Sequence, residues 1–289
     1  MKKNIRNILV LVLCSCGLLL LTSAYSFHKT GDDQTTELKP TTYASSGLWL
    51  DLVTPNIAES SKFYGEVFGW TVKTYNFNGN NHAHIYSNGS LIGGMIEAKD
   101  AQSSAWVGSY SVSKDDLAAL KKGIVSSGLN PILQLLNIPN RGKQVFFESP
   151  QGEEFALVLD DNIIQNANNA ESKKTWLGLE LWSSDVEKSK AFYEKAFNVD
   201  VTQKMVNSKP YWVFTSNGKT IAGMIKNPVK NQGNQWVPYI RESDLNLRVS
   251  AIEAANGNVL LKPTMDVRSG NVSLAQDPYG AIFAIQKTN

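Results

Sequence analysis

Cysteine is almost missing from this chain of 289 residues, and both that occur, Cys14 and Cys16, fall in an apolar run near its start. If that run is removed, no disulfide, thiolate nucleophile or cysteine metal site is available. Histidine is nearly as scarce, with three in all: His28, His82 and His84. A Ser-His-Asp triad would have to use His82 or His84, and no spacing supports one. The sequence has no Gly-rich phosphate loop, no His-Glu-x-x-His and no Gly-x-Ser-x-Gly, so the common phosphate, zinc-peptidase and serine-hydrolase signatures are absent. It also lacks a strong charge of either sign. The formal net charge is +2, and without Lys2, Lys3 and Arg6 it is −1, which leaves no electrostatic footprint for nucleic acid.

What is present is an ordinary folded composition, 42% hydrophobic and 19% charged, which excludes disordered and fibrous classes. Met1 to Arg6 is a short basic region, Ile8 to Leu21 is apolar, and Thr22-Ser23-Ala24 offers small residues for a signal peptidase. This pattern predicts a signal peptide over residues 1–24 and an exported protein, periplasmic or secreted and free of the membrane after cleavage. The run is short for a permanent span, so an uncleaved anchor is the weaker reading. Leu13-Cys14-Ser15-Cys16 is like a lipoprotein box, but Gly17 to Leu21 continue the apolar run past it. Residues 25–46, rich in Thr, Ser, Asp, Lys and Pro, read as a flexible lead-in.

The chain also matches itself. Phe63-Tyr64-Gly65-Glu66-Val67-Phe68 aligns with Phe192-Tyr193-Glu194-Lys195-Ala196-Phe197, and Gly93-Gly94-Met95-Ile96 with Ala222-Gly223-Met224-Ile225, both at an offset near 129. Ser87-Asn88-Gly89 pairs with Ser216-Asn217-Gly218, Trp106 with Trp236, and Pro150-x-Gly152 with Pro278-x-Gly280. Landmarks repeating in one order predict two homologous domains, 47–160 and 175–288, joined by an Asn-rich linker over 161–174.

Within each copy the periodicity changes in a fixed order. Leu48, Leu50 and Leu52 alternate with Trp49, Asp51 and Val53, which is strand spacing. Asn56 can cap a helix carrying Ile57, Phe63, Tyr64, Val67 and Phe68 as far as Gly69, with Asp185 opening its counterpart. Short β-rich runs follow at Thr71 to Phe77, His82 to Ser87 and Leu91 to Glu97, the last two joined by the hairpin signal Asn88-Gly89. The pattern restarts at Trp106 with a strand, a helix from Asp115 to Ser127, and strands at Gln144 to Glu148 and Glu154 to Leu159. The expected fold is α+β: two tandem domains, each of two paired βαβββ modules forming a curved, cup-like mixed sheet.

With the Phe-Tyr pair followed by Phe-Gly-Trp, the Gly-Gly-Met strand and Asp-Pro-x-Gly before the last strand, the chain resembles the vicinal oxygen chelate superfamily of glyoxalase I, fosfomycin and bleomycin resistance proteins and extradiol dioxygenases. The resemblance covers essentially all of 47–160 and 175–288, and looks most like the tandem glyoxalase-like members. It implies cups that hold a small ligand and, in the enzymes, a divalent metal bound by His, Gln or Glu. The positions it assigns to those ligands are Trp49 and Gly178 on the first strands, Gly108 or Ser109 and Val237 on the strands opening the second modules, and Ala156 and Ala284 on the last strands. None is an imidazole or a carboxylate, whereas a transition metal wants three or four such donors. The expectation is therefore no metal and no cofactor. His82 and His84, two apart on one strand, with Glu97 on the next, form the one arrangement that could still bind a metal.

Asp51 and Glu180 occupy the same place in the two copies and share strand parity with the former metal position. The expected ligand-binding set is therefore Trp49, Asp51 and Tyr110 in the first cup, and Glu180, Trp182 and Tyr239 in the second. A carboxylate among aromatics can act as acid or base or bind a hydroxylated or cationic molecule; it can equally satisfy a backbone donor at the rim. Trp106 and Trp236 are read as having the opposite strand parity from Tyr239 and are expected in the core. The functional expectation is a small-molecule-binding protein, with a glyoxalase-like lyase or dioxygenase and a partner-binding scaffold as the alternatives.

Overall fold

A computed structural model of the chain describes residues 48–111, 136–138, 142–158, 170–197, 199–206, 208–216, 218–229 and 233–288. The expected signal peptide, the lead-in, the helix at 115–127 and most of the linker lie outside the described residues.

The first half forms β1 (Leu48–Thr54), α1 (Ile57–Phe68), β2 (Thr71–Phe77), β3 (Asn80–Ser87), β4 (Ser90–Glu97), β5 (Ala105–Ser111), β6 (Leu136–Ile138), β7 (Gly142–Glu148) and β8 (Glu154–Val158). A short helix α2 (Ala170–Thr175) follows, at the end of the stretch expected as linker, and its Glu171 accepts hydrogen bonds from Ser87 and Asn88. The second half forms β9 (Trp176–Ser183), α3 (Val186–Phe197), β10 (Asp200–Val206), β11 (Lys209–Ser216), β12 (Lys219–Lys226), β13 (Gln235–Glu242), α4 (Leu245–Ala254), β14 (Asn258–Leu261), β15 (Val272–Gln276) and β16 (Ile282–Lys287).

Local chemistry explains the boundaries. The Asn56 side chain accepts from the backbone N–H of Ala58 and Glu59, capping α1, and Gly69 closes it in the left-handed region at φ 70°. Asn88 and Gly89, at φ 48° and 76°, make the tight turn between β3 and β4 that their sequence predicts.

Each half is one mixed eight-stranded sheet, ordered β2-β3-β4-β1-β5-β8-β7-β6 and β10-β11-β12-β9-β13-β16-β15-β14. In both, the first strand of each module pairs in parallel with the last strand of that module, and the two first strands meet antiparallel at the centre. One face of each sheet turns toward the other half. There Tyr64, Phe155 and Phe283 are completely buried or nearly so, each worth roughly 2–3 kcal/mol of apolar burial. Phe63 and Tyr64 of α1 meet Phe283 of β16, Phe155 of β8 meets Phe197 of α3, and the Trp176 indole N–H donates to the Ile92 carbonyl. Trp106 and Trp236 belong to this core, donating to the hydroxyls of Tyr64 and Tyr193. The opposite, concave faces are the candidate cups.

Candidate ligand site

Register decides which side chains share a concave face. In the first half Trp49 lies opposite Ser109, and Ser109 opposite Ala156. In the second, Gly178 lies opposite Tyr239, and Tyr239 opposite Ala284. The position equivalent to Ser109 is thus Tyr239, as the offset of 130 between Trp106 and Trp236 requires, and not the expected Val237. These two rows are the central line of each cup, and neither contains an imidazole or a carboxylate.

Tyr110 is not in the first cup. It is one residue past Ser109, so it points to the helix-bearing side, where its ring lies 6.3 Å from Trp236 of the other half. Burial raises its hydroxyl pKa. Its counterpart in the second half is Ile240, because the offset between copies has drifted to 130 by β5 and β13.

Asp51 and Glu180 do face the cups, as equivalents in register: Asp51 pairs with Gly94, and Glu180 with Gly223. Both are buried. Their surroundings differ. Glu180 Oε1 accepts from the Trp182 indole at 3.1 Å and the Tyr239 hydroxyl at 2.6 Å, and its Oε2 is ion-paired with Arg268. The Arg268 guanidinium also donates to Gln286 at 2.9 Å and lies 4.8 Å from the centre of the Tyr239 ring. Burial by itself would lower the Arg268 pKa, but Glu180, Tyr239 and Tyr211 together outweigh it and the net shift is upward. Arg268 was no part of the sequence expectation, and it reaches Glu180 from 88 positions away along the chain. What remains of the second cup is a small part-open recess around Gly178, Tyr211 and these groups. A carboxylate holding two hydrogen bonds and an ion pair has little acceptor capacity left for a ligand.

The first cup is unlike it. Asp51 Oδ1 and the Trp49 ring lie over Gly94: a Cβ there would be 2.4 Å from the first and 3.0 Å from the second. Over Gly223 the space is filled by Tyr211, whose hydroxyl would be 1.8 Å from such a Cβ. In the strand next to Gly94 stands His84, 6.4 Å from Trp49 ring to ring. The Gln144 amide donates to Ser109 at 3.3 Å, while Gln144 Oε1, His82 Nδ1 and His84 Nε2 are buried with no hydrogen-bond partner among the described residues. Burial, together with the neighbouring His84, pushes the His82 pKa down to about 4, and burial also lowers that of His84. Both imidazoles are neutral at pH 7.

Glu97 does not join the histidines. It accepts from the Asn81 amide at 2.7 Å and lies 3.4 Å from the N–H of Ile57 at the start of α1, on the other side of the strand. Among the described residues no group of three or more His, Cys, Asp or Glu is placed to hold a metal ion.

Comparison with known proteins agrees with this architecture. Residues 177–285 match the model of the glyoxalase/bleomycin resistance protein/dioxygenase superfamily. CFP32 of Mycobacterium tuberculosis, whose name carries only a provisional glyoxylase assignment, is 24% identical over 248 residues, 83% of this chain and 93% of the relative. The anthracycline biosynthesis protein DauV of Streptomyces sp. strain C5 is 22% identical over 82% of this chain and 91% of its own length. Among solved structures, the 2,3-dioxygenase LapB from Pseudomonas sp. KL28 superposes with a TM-score of 0.58 at 13% identity, covering 85% of this chain and 94% of that one. The Mn(II)-bound glyoxalase from Novosphingobium aromaticivorans gives 0.54 at 12%, covering 84% and 82%. The second half is thus similar to the glyoxalase/bleomycin resistance protein/dioxygenase superfamily, and the chain shares its fold with glyoxalases and extradiol dioxygenases.

Proposed function

We propose that this protein is exported and binds a small organic molecule in its first cup without a metal. The observation that carries this reading is the contrast between the halves. In the second cup the carboxylate is saturated by Trp182, Tyr239 and Arg268. The first cup keeps buried polar atoms without partners at His82, His84 and Gln144. Buried polar groups are normally satisfied, so such a cluster on a concave face marks where a ligand or water would bond.

Metal-dependent lyase or dioxygenase chemistry does not fit the donors present. Trp49, Ser109 and Ala156 in one half, and Gly178, Tyr239 and Ala284 in the other, offer at most a hydroxyl, and a protein metal site needs three or four strong ligands. The relatives' names supply an enzymatic reading for those proteins that these residues do not support here. Export rests on the basic, apolar and small-residue order of residues 1–24.

Mass spectrometry of the purified protein for metals and co-purifying small molecules tests the binding reading. Stoichiometric metal that survives dialysis would overturn it. N-terminal sequencing of the extracytoplasmic form should begin near Tyr25, and an intact Met1 in membrane fractions would instead show an anchor.

A further inference from the structure

Beyond the central strands, the first cup has an outer wall on β2 and β3 that the second half does not reproduce. Tyr75 pairs directly with His82 across these strands, and His84 follows two residues on, on the same face. The rings form one aromatic cluster: Tyr75 lies 5.7 Å from His82 at an interplanar angle of 21° and 4.8 Å from His84, while Phe77 and Tyr86 flank the two imidazoles at 5.8 and 6.4 Å. His82 Nδ1, His84 Nε2 and the Tyr75 hydroxyl are buried there, and none has a hydrogen-bond partner among the described residues. They do not bond one another either. The second half has Tyr211 and Val213 in place of His82 and His84, so this is a property of one cup only.

Resting on the first-cup reading above, we propose that this wall recognises an uncharged, planar aromatic molecule carrying hydroxyl or N–H substituents. The ring of the ligand lies against the Tyr75 cluster, and its substituents bond His82 Nδ1, His84 Nε2 and the Tyr75 hydroxyl. The chemistry of the wall selects for this. Neutral imidazoles each offer one donor and one lone pair, and a phenolic hydroxyl offers both roles, so they suit a ligand that also donates and accepts. Flat rings suit the aromatic surroundings. An anion would meet Asp51 across Gly94. Lys73 is exposed and sits 4.9 Å over the Tyr86 ring, outside the buried groups. Leaving three polar atoms buried and unbonded costs stability, and a ligand of this class would remove that cost.

The test is to titrate the purified protein with four probes of one size: naphthalene, 2-naphthol, 2-naphthoate and 2-(aminomethyl)naphthalene. Calorimetry and tryptophan fluorescence give affinities, and ¹⁵N spectra of histidine-labelled protein read the imidazole nitrogens. We expect 2-naphthol to bind about tenfold or more tighter than the other three, as one or two buried hydrogen bonds would give, and to shift the His82 and His84 nitrogen signals. His84→Leu should bring 2-naphthol down toward the level of naphthalene, with circular dichroism and the melting temperature showing that the variant is folded. If all four bind the wild type alike, or the charged probes bind tighter, the cup holds ligands but the proposed selectivity is wrong. If none binds and no imidazole signal moves, both this proposal and the first-cup reading fall.

Discussion

Tyr193 donates a 2.8 Å hydrogen bond to Glu153, a residue 40 positions earlier and in the other half of the molecule. The bond has a mirror image, since Tyr64 of the first half reaches Asp277 of the second at 3.4 Å. Each tyrosine comes from the first helix of its half, and each carboxylate from the turn before the last strand of the opposite half. The halves are thus tied together reciprocally by the Phe-Tyr and Pro-x-Gly motifs that revealed the repeat.

The two ties are unequal, which gives a prediction. Asp277 is also held by the backbone N–H groups of Tyr279 and Ala281, both at 2.9 Å, whereas Glu153 Oε2 has no partner. Tyr193→Phe should therefore cost about 1–3 kcal/mol, the penalty of stripping a buried carboxylate of its hydrogen bond. Tyr64→Phe should cost less. Urea denaturation of both variants measures the difference, and equal losses would show that the Glu153 bond contributes nothing special.

Arg268→Ala should destabilise the protein by about 3–5 kcal/mol, because it leaves the Glu180 charge buried without its counter-ion. A double exchange, Arg268→Met with Glu180→Leu, should recover most of that loss, since it removes both charges together. Affinity for any first-cup ligand should not change in either variant. A ligand whose binding is lost with Arg268 would place the site in the second cup instead.

Gly94→Ala should be poorly tolerated, since the new Cβ would stand 2.4 Å from Asp51 Oδ1 and must displace Asp51 or Trp49. We expect a loss of about 1–3 kcal/mol, the usual cost of overpacking. Combining it with Asp51→Gly should relieve the clash, and thermal melts of the single and double variants decide the point. No recovery in the double variant would mean that the strain lies elsewhere.

The His82 pKa, lowered from 6.5 to about 4 by burial and His84, makes a pH prediction. Below pH 6.5 the unfolded chain takes up a proton on His82 that the folded chain refuses, so this contribution to stability is complete above 6.5 and is lost as pH falls toward 4. Buried carboxylates act in the opposite direction: burial raises the Asp277 pKa to about 6 and, with Glu148 adding to it, that of Glu154 to about 8. The comparison must therefore be made between wild type and His82→Gln. Their difference in stability should shift in favour of the variant by about 1–3 kcal/mol between pH 7 and pH 4.5. Parallel pH profiles would mean that His82 is solvated.

Much of this architecture is written locally. The duplication, the strand–helix–three-strand order, the Asn56 cap, the Asn88-Gly89 turn and the missing metal donors at Trp49, Gly178, Ala156 and Ala284 follow from short-range patterns, because caps, turns and alternation are set by neighbours a few residues apart. So does the equivalence of Asp51 and Glu180. What the fold alone decided depends on register and on distant chain segments. The pairing register showed what the offset of 130 between Trp106 and Trp236 implied, that Tyr110 lies on the core face and Tyr239 opposite Gly178, since a shift of one in a strand reverses every side chain. Arg268 could not be foreseen beside Glu180, because a loop 88 residues away delivers it, and no periodicity links the two. Glu97 could not be separated from His82 and His84 until its bonds to Asn81 and the start of α1 were seen. The sequence thus determined two equivalent cups. Tertiary packing made them unequal, saturating the carboxylate of one and leaving one nitrogen of each imidazole in the other without a hydrogen bond among the described residues.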